Sequence, residues 1–239
     1  ASAECRALTL QVYKQASVHL SAALEDANWR AIPGKGSDKP PAIIFDLDET
    51  LLDNTPWQVR AIREGYDYPT GWKEWCLEAR AGALPGALDF VRSATKMGIE
   101  IFYVSNRKAP VEEATRINLK ALGFPLSADR DTVLLRNEKE EWGSDKTSRR
   151  EVVARDYRVL MMFGDNLGDF LETEPSRANV SVRAKVVDDH KQYWGSRWHM
   201  LPNPIYGGWP WSILGEKSGL TGDARYEALL QKLDSGSGK

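Results

Sequence analysis

Ala42-Ile43-Ile44-Phe45-Asp46-Leu47-Asp48-Glu49-Thr50 is the stretch that decides how the chain is read. Four apolar residues with no polar alternation predict a short strand covered on both faces, as in a parallel sheet between helical layers. The run stops at two carboxylates, Asp46 and Asp48. Residues i and i+2 leaving a strand bring both groups near one small volume, where their repulsion is costly without a cation.

Working outward, 5–29 place Leu8, Val12, Leu20 and Leu24 close to helical spacing, and Pro33-Gly34-Lys35-Gly36 opens a loop before the strand. Residues 53–85 hold Asn, Pro, Gly and many aromatics and predict a cap insertion. A helix over 86–97 closed by Gly98, an apolar run over 99–104 leading into Ser105-Asn106-Arg107, and a helix over 110–122 ending at Gly123 come next. A strand over 132–135, a helix over 146–156 and a strand over 159–163 running into Gly164-Asp165-Asn166 complete the pattern. Strands alternating with helices imply an α/β fold: a doubly wound parallel sheet with right-handed crossovers and a smaller, mainly helical cap. From about 180 the pattern loosens into the aromatic and proline-rich 194–214 and a helix near 226–233. The expected division is a core of 38–52 and 86–190, an accessory region of 1–37, 53–85 and 191–234, and a disordered tail over 235–239.

With 239 residues, 42% apolar and 28% charged, the chain can bury a full core. A net charge of −2 and a pI near 6.0 leave no global basic field for a nucleic acid polymer or an anionic membrane, so an anionic substrate must be held by local charges and a metal. No apolar stretch reaches the 18 or so residues that span a bilayer. Cys5 and Cys76 lack metal-site spacing; a disulfide between them and two free thiols are both open. Nine tryptophans, several clustered at Trp57, Trp72 and Trp75 and again from Trp194 to Trp211, suggest an aromatic accessory surface as well as a core.

Three strands end abruptly in polar residues: Asp46 and Asp48, then Ser105 and Asn106, then Asp165 and Asp169. Ligands of open parallel sheets sit beyond the carboxyl ends of the strands, so the three groups are expected to meet in one crevice. Oxygen ligands at a phosphate site favour Mg2+ over Zn2+ or copper. Each group also has a plainer reading. Asp169 can cap a helix or start a turn, Ser105-Asn106 can be a helix entry, and Lys146 with Arg149 and Arg150 can be a solvated face. His19, His190 and His199 form no cluster and receive no catalytic role.

Taken together, DLDETLLDN, GWKEWCLEARAGALPGA, FYVSNRK, SDKTSRR, FGDNLGDF and LPNPIYGGW resemble the class C acid phosphatases, the bacterial outer-membrane lipoprotein 5′-nucleotidases of the haloacid dehalogenase (HAD) superfamily. The resemblance runs from about residue 5 to 233. It implies Asp46 as a nucleophile forming an aspartyl-phosphate and Asp48 as acid and then base. It also implies a Mg2+ site from the Asp46 side chain, the Asp48 backbone carbonyl and Asp165, with Asp169 orienting that shell. Ser105, the Asn106 amide and Lys146 would hold the phosphoryl group, with Arg149 as the alternative cation. Trp72 and Tyr206 match a pair that stacks a nucleobase, so nucleoside monophosphates or other small phosphomonoesters are the implied substrates. A general phosphomonoesterase, a non-catalytic storage protein and a phospho-accepting regulatory domain are the rival readings. The resemblance further implies export to the periplasm or outer membrane, with membrane attachment only through a lipid anchor that this chain lacks. It leaves a homodimer open.

Overall fold

The computed structural model describes residues 2–34, 38–172, 179–215, 220 and 222–232; the tail expected over 235–239 lies outside them. Helix α1 (Ala3–Glu25) leads into β1 (Pro41–Phe45). The short strands β2 (Leu52–Asp53) and β3 (Gly82–Ala83) bracket α2 (Thr55–Glu64) and α3 (Trp72–Leu77). Then follow α4 (Ala87–Lys96), β4 (Glu100–Lys108), α5 (Glu112–Leu122), β5 (Val133–Arg136), α6 (Thr147–Asp156) and β6 (Arg158–Gly164). Helix α7 (Val180–Asp189), β7 (Trp198–Met200), α8 (Gly208–Leu214) and α9 (Gly222–Lys232) end the described chain.

Strand β1 is central to a five-stranded parallel sheet of order β5-β4-β1-β6-β7. Its side chains alternate between two cores. Ile43 and Phe45 join Tyr13, Phe90, Leu119 and Phe163 on one face, while Ala42 and Ile44 join Phe102, Val153, Tyr157 and Trp198 on the other. Burial on both faces is why the run shows no polar alternation. The chain fills the β4 and β5 side first and then returns past β1 to β6 and β7. This reversal opens the crevice at the carboxyl end of β1.

The segment 191–234, assigned from sequence to the accessory region, supplies the fifth strand. Three residues are too few for a periodicity reading, but Trp198 is buried and its indole N–H donates to Ala31 O at 2.9 Å. The N-terminal helix also enters the core. Tyr13 stacks on Phe163 at 5.5 Å between ring centroids and donates its hydroxyl to Thr50 O at 2.6 Å, tying α1 to the turn that carries Asp46 and Asp48.

The stretch expected as an insertion over 53–85 leaves and rejoins the chain through one short ladder. Its entry and exit pair antiparallel, Leu52 with Ala83 and Asp53 with Gly82. Trp57 and Trp75 are core residues of this unit, Trp75 donating its indole N–H to Asn54 Oδ1 at 2.8 Å, whereas Trp209 and Trp211 are exposed. Cys5 and Cys76 are free thiols, Cys76 buried. Among the described residues no helix is long and apolar enough to cross a membrane.

Candidate active site

The turn after β1 places the first two carboxylates. Leu47 O accepts the amides of Thr50, Leu51 and Leu52, and Glu49 takes a left-handed backbone (φ 56°), so the chain folds back directly behind Asp48. Asp46 is buried, and Asp48 is half-buried at the crevice wall. Asp46 Oδ2 accepts the Thr50 hydroxyl at 3.3 Å.

At the next strand end, β6 delivers Asp165 and the turn carrying Asp169. Asn166 accepts the Gly168 amide while Asp169 Oδ2 accepts the Asn166 amide at 2.9 Å, so Asp169 does cap a turn, as its plainer reading holds. Its Oδ1 faces the site and accepts Lys146 Nζ at 2.6 Å. Gly164 makes this approach feasible: a Cβ there would lie 2.3 Å from Asp169 Cβ. Asp46, Asp165 and Asp169 each offer a carboxylate oxygen within 4.8 Å of the others, a donor set of hard oxygens suited to a divalent cation.

Lys146, at the N-cap of α6, is buried and bonded to both Asp46 Oδ1 and Asp169 Oδ1. Burial pulls its ammonium down, but the Asp169 and Asp46 charges more than reverse this and hold it above the usual lysine range. One lysine does not neutralise the cluster. Burial, reinforced by the Asp169 and Asp48 charges and opposed by Lys146, pushes Asp46 up to about 7. Asp165 is raised well above the ordinary carboxylate value by burial and by the Asp169 and Asp46 charges.

Strand β4 brings Ser105, fully buried, to the same end of the sheet. Its hydroxyl oxygen accepts the Arg107 amide at 3.1 Å, leaving its own proton for another acceptor. Asn106 is fixed through its side chain, accepting from Arg149 Nη2 at 2.7 Å and donating to Ser144 O at 2.9 Å. Arg149 is thereby separated from Lys146 in role. It is fully buried and donates to Ser105 O, Asn106 Oδ1, Gly143 O and Asp145 O, bracing the loops behind the crevice.

Trp72, half-buried at the start of α3, packs edge-on to Trp57 at 5.1 Å and to Tyr68 at 6.1 Å between ring centroids. The amide of Tyr206 donates to Asn203 Oδ1 at 3.3 Å, and Asn203 Nδ2 donates to Asp165 Oδ2 at 2.7 Å. One asparagine thus ties the Tyr206 loop to a candidate metal ligand.

A family model described as HAD superfamily, subfamily IIIB (Acid phosphatase) matches residues 2–209. The chain belongs to this subfamily. Its structure is similar to that of the class C acid phosphatase from Bacillus anthracis, at 35% identity and a TM-score of 0.85 over 98% of this chain and 93% of that one. It is equally similar to the same enzyme with tungstate bound, at 36% identity, the same coverage and a TM-score of 0.85. Among curated proteins it is 28% identical to vegetative storage protein 1 of Arabidopsis thaliana over 68% of this chain. It is also 28% identical to acid phosphatase 1 of Solanum lycopersicum, over 72% of this chain. The matched stretches span 54% and 60% of those two relatives' own lengths.

In this IIIB acid-phosphatase chain, two buried side chains of the site escape a reading by motif. Arg107 forks onto Asp48, with Nη2 to Oδ1 at 2.8 Å, and Asn54 Nδ2 donates to the same oxygen at 2.9 Å. Arg107 stands in the quoted FYVSNRK, yet a strand end offers no signal for which of its polar residues turns inward. Asn54 closes DLDETLLDN, where it reads as a turn residue.

Proposed function

We propose that this chain hydrolyses small phosphomonoesters, nucleoside monophosphates foremost, through an aspartyl-phosphate on Asp46 with Mg2+ as cofactor. The observation that carries the reading is the buried Lys146 bonded to Asp46 and Asp169, with Asp165 and Ser105 brought to the same crevice by the neighbouring strands. Such a charge pattern is costly for a fold, and with a divalent cation added it suits an oxyanion. The tungstate held by the similar Bacillus anthracis enzyme is an oxyanion of this kind and supports the reading.

The residues present fit a divalent cation. Three carboxylates face one ammonium, and burial together with the Asp169 charge drives Asp46 and Asp165 toward protonation. Asp46 and Asp165 would hold the ion together with the Asp48 backbone carbonyl. Both Asp169 oxygens are already engaged, which suits it to orienting that shell. When bound, Mg2+ supplies positive charge that keeps the carboxylates ionised and polarises phosphoryl oxygens.

Asp46 attacks phosphorus, and Lys146 holds its carboxylate in place while offering a fixed positive charge to the phosphoryl group. The Ser105 hydroxyl and the Asn106 amide donate to phosphoryl oxygens. Asp48 protonates the departing alkoxide and then takes a proton from the water that hydrolyses the aspartyl-phosphate. Trp72, braced by Trp57 and Tyr68, and Tyr206 would stack the base. The resemblance to bacterial class C enzymes extends the proposal to an exported protein of the cell envelope.

Asp46→Asn, assayed on a nucleoside monophosphate after EDTA treatment and again after Mg2+ is restored, should show no turnover in either state while phosphate still binds. Wild type should lose activity with EDTA and regain it with Mg2+. Hydrolysis by Asp46→Asn at the wild-type rate would remove the mechanism.

A further inference from the structure

We propose that Arg107 is the positioning residue for Asp48, fixing the plane of its carboxyl group so that Oδ2 is the oxygen left to exchange a proton; this rests on Asp48 being the acid and base. Strand β4 breaks register with β5 between Ser105 and Lys108, two extra residues standing on the β4 side. Arg107 points inward in the alternation of the strand end: it is 2% exposed while its neighbours Asn106 and Lys108 are exposed.

The contacts are asymmetric. Asp48 Oδ1 accepts Arg107 Nε at 3.0 Å, Arg107 Nη2 at 2.8 Å and Asn54 Nδ2 at 2.9 Å, whereas Oδ2 accepts only a shared, longer contact from Arg107 Nε at 3.2 Å. Three donors use the acceptor capacity of Oδ1, and Oδ2 keeps a lone pair for a proton. The fork is fixed in turn. Arg107 Nη1 donates to Thr115 Oγ1 at 3.2 Å, and the guanidinium carbon lies 5.8 Å from the centre of the Trp72 ring. A lysine would offer a point charge without setting a plane.

Proton and bond accounting then follows. In the first half-reaction an Asp46 oxygen bonds to phosphorus, the ester P–O bond breaks, and the Asp48 Oδ2 proton passes to the departing alkoxide. Asp48 is left ionised against Arg107. In the second, water attacks phosphorus and returns a proton to Oδ2 as the Asp46–phosphorus bond breaks.

A purely structural ion pair would slow every substrate alike; a positioning role would not. The test compares kcat/KM of the Mg2+-supplemented enzyme on ribose 5-phosphate, whose alkoxide needs a proton, with 4-nitrophenyl phosphate, whose phenolate leaves without one. Arg107→Gln should lose roughly 100-fold on the alkyl ester and less than about 5-fold on the aryl ester. Arg107→Lys should show a smaller loss with the same selectivity. Thr115→Val, which keeps every charge, should shift the ratio in the same direction, and these two variants decide the matter if Arg107→Gln does not fold. Equal losses on both esters, or none, would overturn the proposal. Asp48→Asn runs in parallel. If it is selective and the Arg107 variants are not, only this proposal falls; if it is unselective, the acid assignment falls and takes the proposal with it.

Discussion

Replacing His199 by Phe should remove an acid-sensitive part of the fold's stability. His199 is buried on β7 beside its β6 partner Phe163, its ring 4.6 Å from that ring and inclined by 18°, with Nε2 3.2 Å from Ser196 O. Burial, with a small contribution from His19 and against the Ser196 carbonyl, pushes its imidazole from 6.5 down to about 4. The unfolded chain therefore binds a proton that the folded chain refuses. Stability from this residue is complete above pH 6.5 and is lost as pH falls toward 4. With those two values the loss is about 1 kcal/mol at pH 5.5 and about 3 kcal/mol at pH 4. Phe keeps the stack on Phe163 and removes the titration. Urea unfolding of both proteins at pH 7, 5.5 and 4.5 should show wild type losing stability faster than His199→Phe over this window. Parallel declines would refute the reasoning.

Gly164→Ala would press a methyl group against Asp169, at 2.3 Å from its Cβ, costing about 1–3 kcal/mol or more and raising the Mg2+ needed for activity; thermal melts and a Mg2+ titration measure both. Lys146→Met should reduce kcat at least roughly 100-fold in a folded protein, because it removes the ammonium bonded to Asp46. Arg149→Lys should instead appear first as a lower melting temperature, since Arg149 braces four acceptors behind the crevice. Trp72→Ala and Tyr206→Ala should each lower kcat/KM for nucleoside monophosphates by roughly 10-fold, from ~1–3 kcal/mol of stacking, and Tyr206→Ala should leave ribose 5-phosphate unchanged. Equal losses on both substrates would favour a phosphomonoesterase without base preference.

How much of this was legible in sequence depended on whether a residue's role was local. The runs 42–45, 99–104 and 159–163 were readable as strands because burial on both faces removes polar alternation, and their polar ends marked the crevice. Strand β7 was not readable. Three residues carry no period, and Trp198 is held by Ala31, 167 positions away. Lys146 and Arg149 lie one helical turn apart, and spacing alone does not separate them; the fold sends one to Asp46 and the other behind Ser105. Arg107 looked like one more polar residue after a strand, because the apolar run stops at Val104 while the strand itself continues to Lys108. Asn203 joins Asp165 across 38 positions, a pairing fixed only by where the last loop closes.

The central claim is that Asp46 becomes phosphorylated. Acid-quenching the enzyme during turnover of a nucleoside monophosphate, reducing it with borohydride and sequencing by mass spectrometry tests this directly, since reduction of an aspartyl-phosphate leaves homoserine. Homoserine at position 46, absent without substrate, is the result expected. Full turnover with an unmodified Asp46, or with the mark at another carboxylate, would contradict the account.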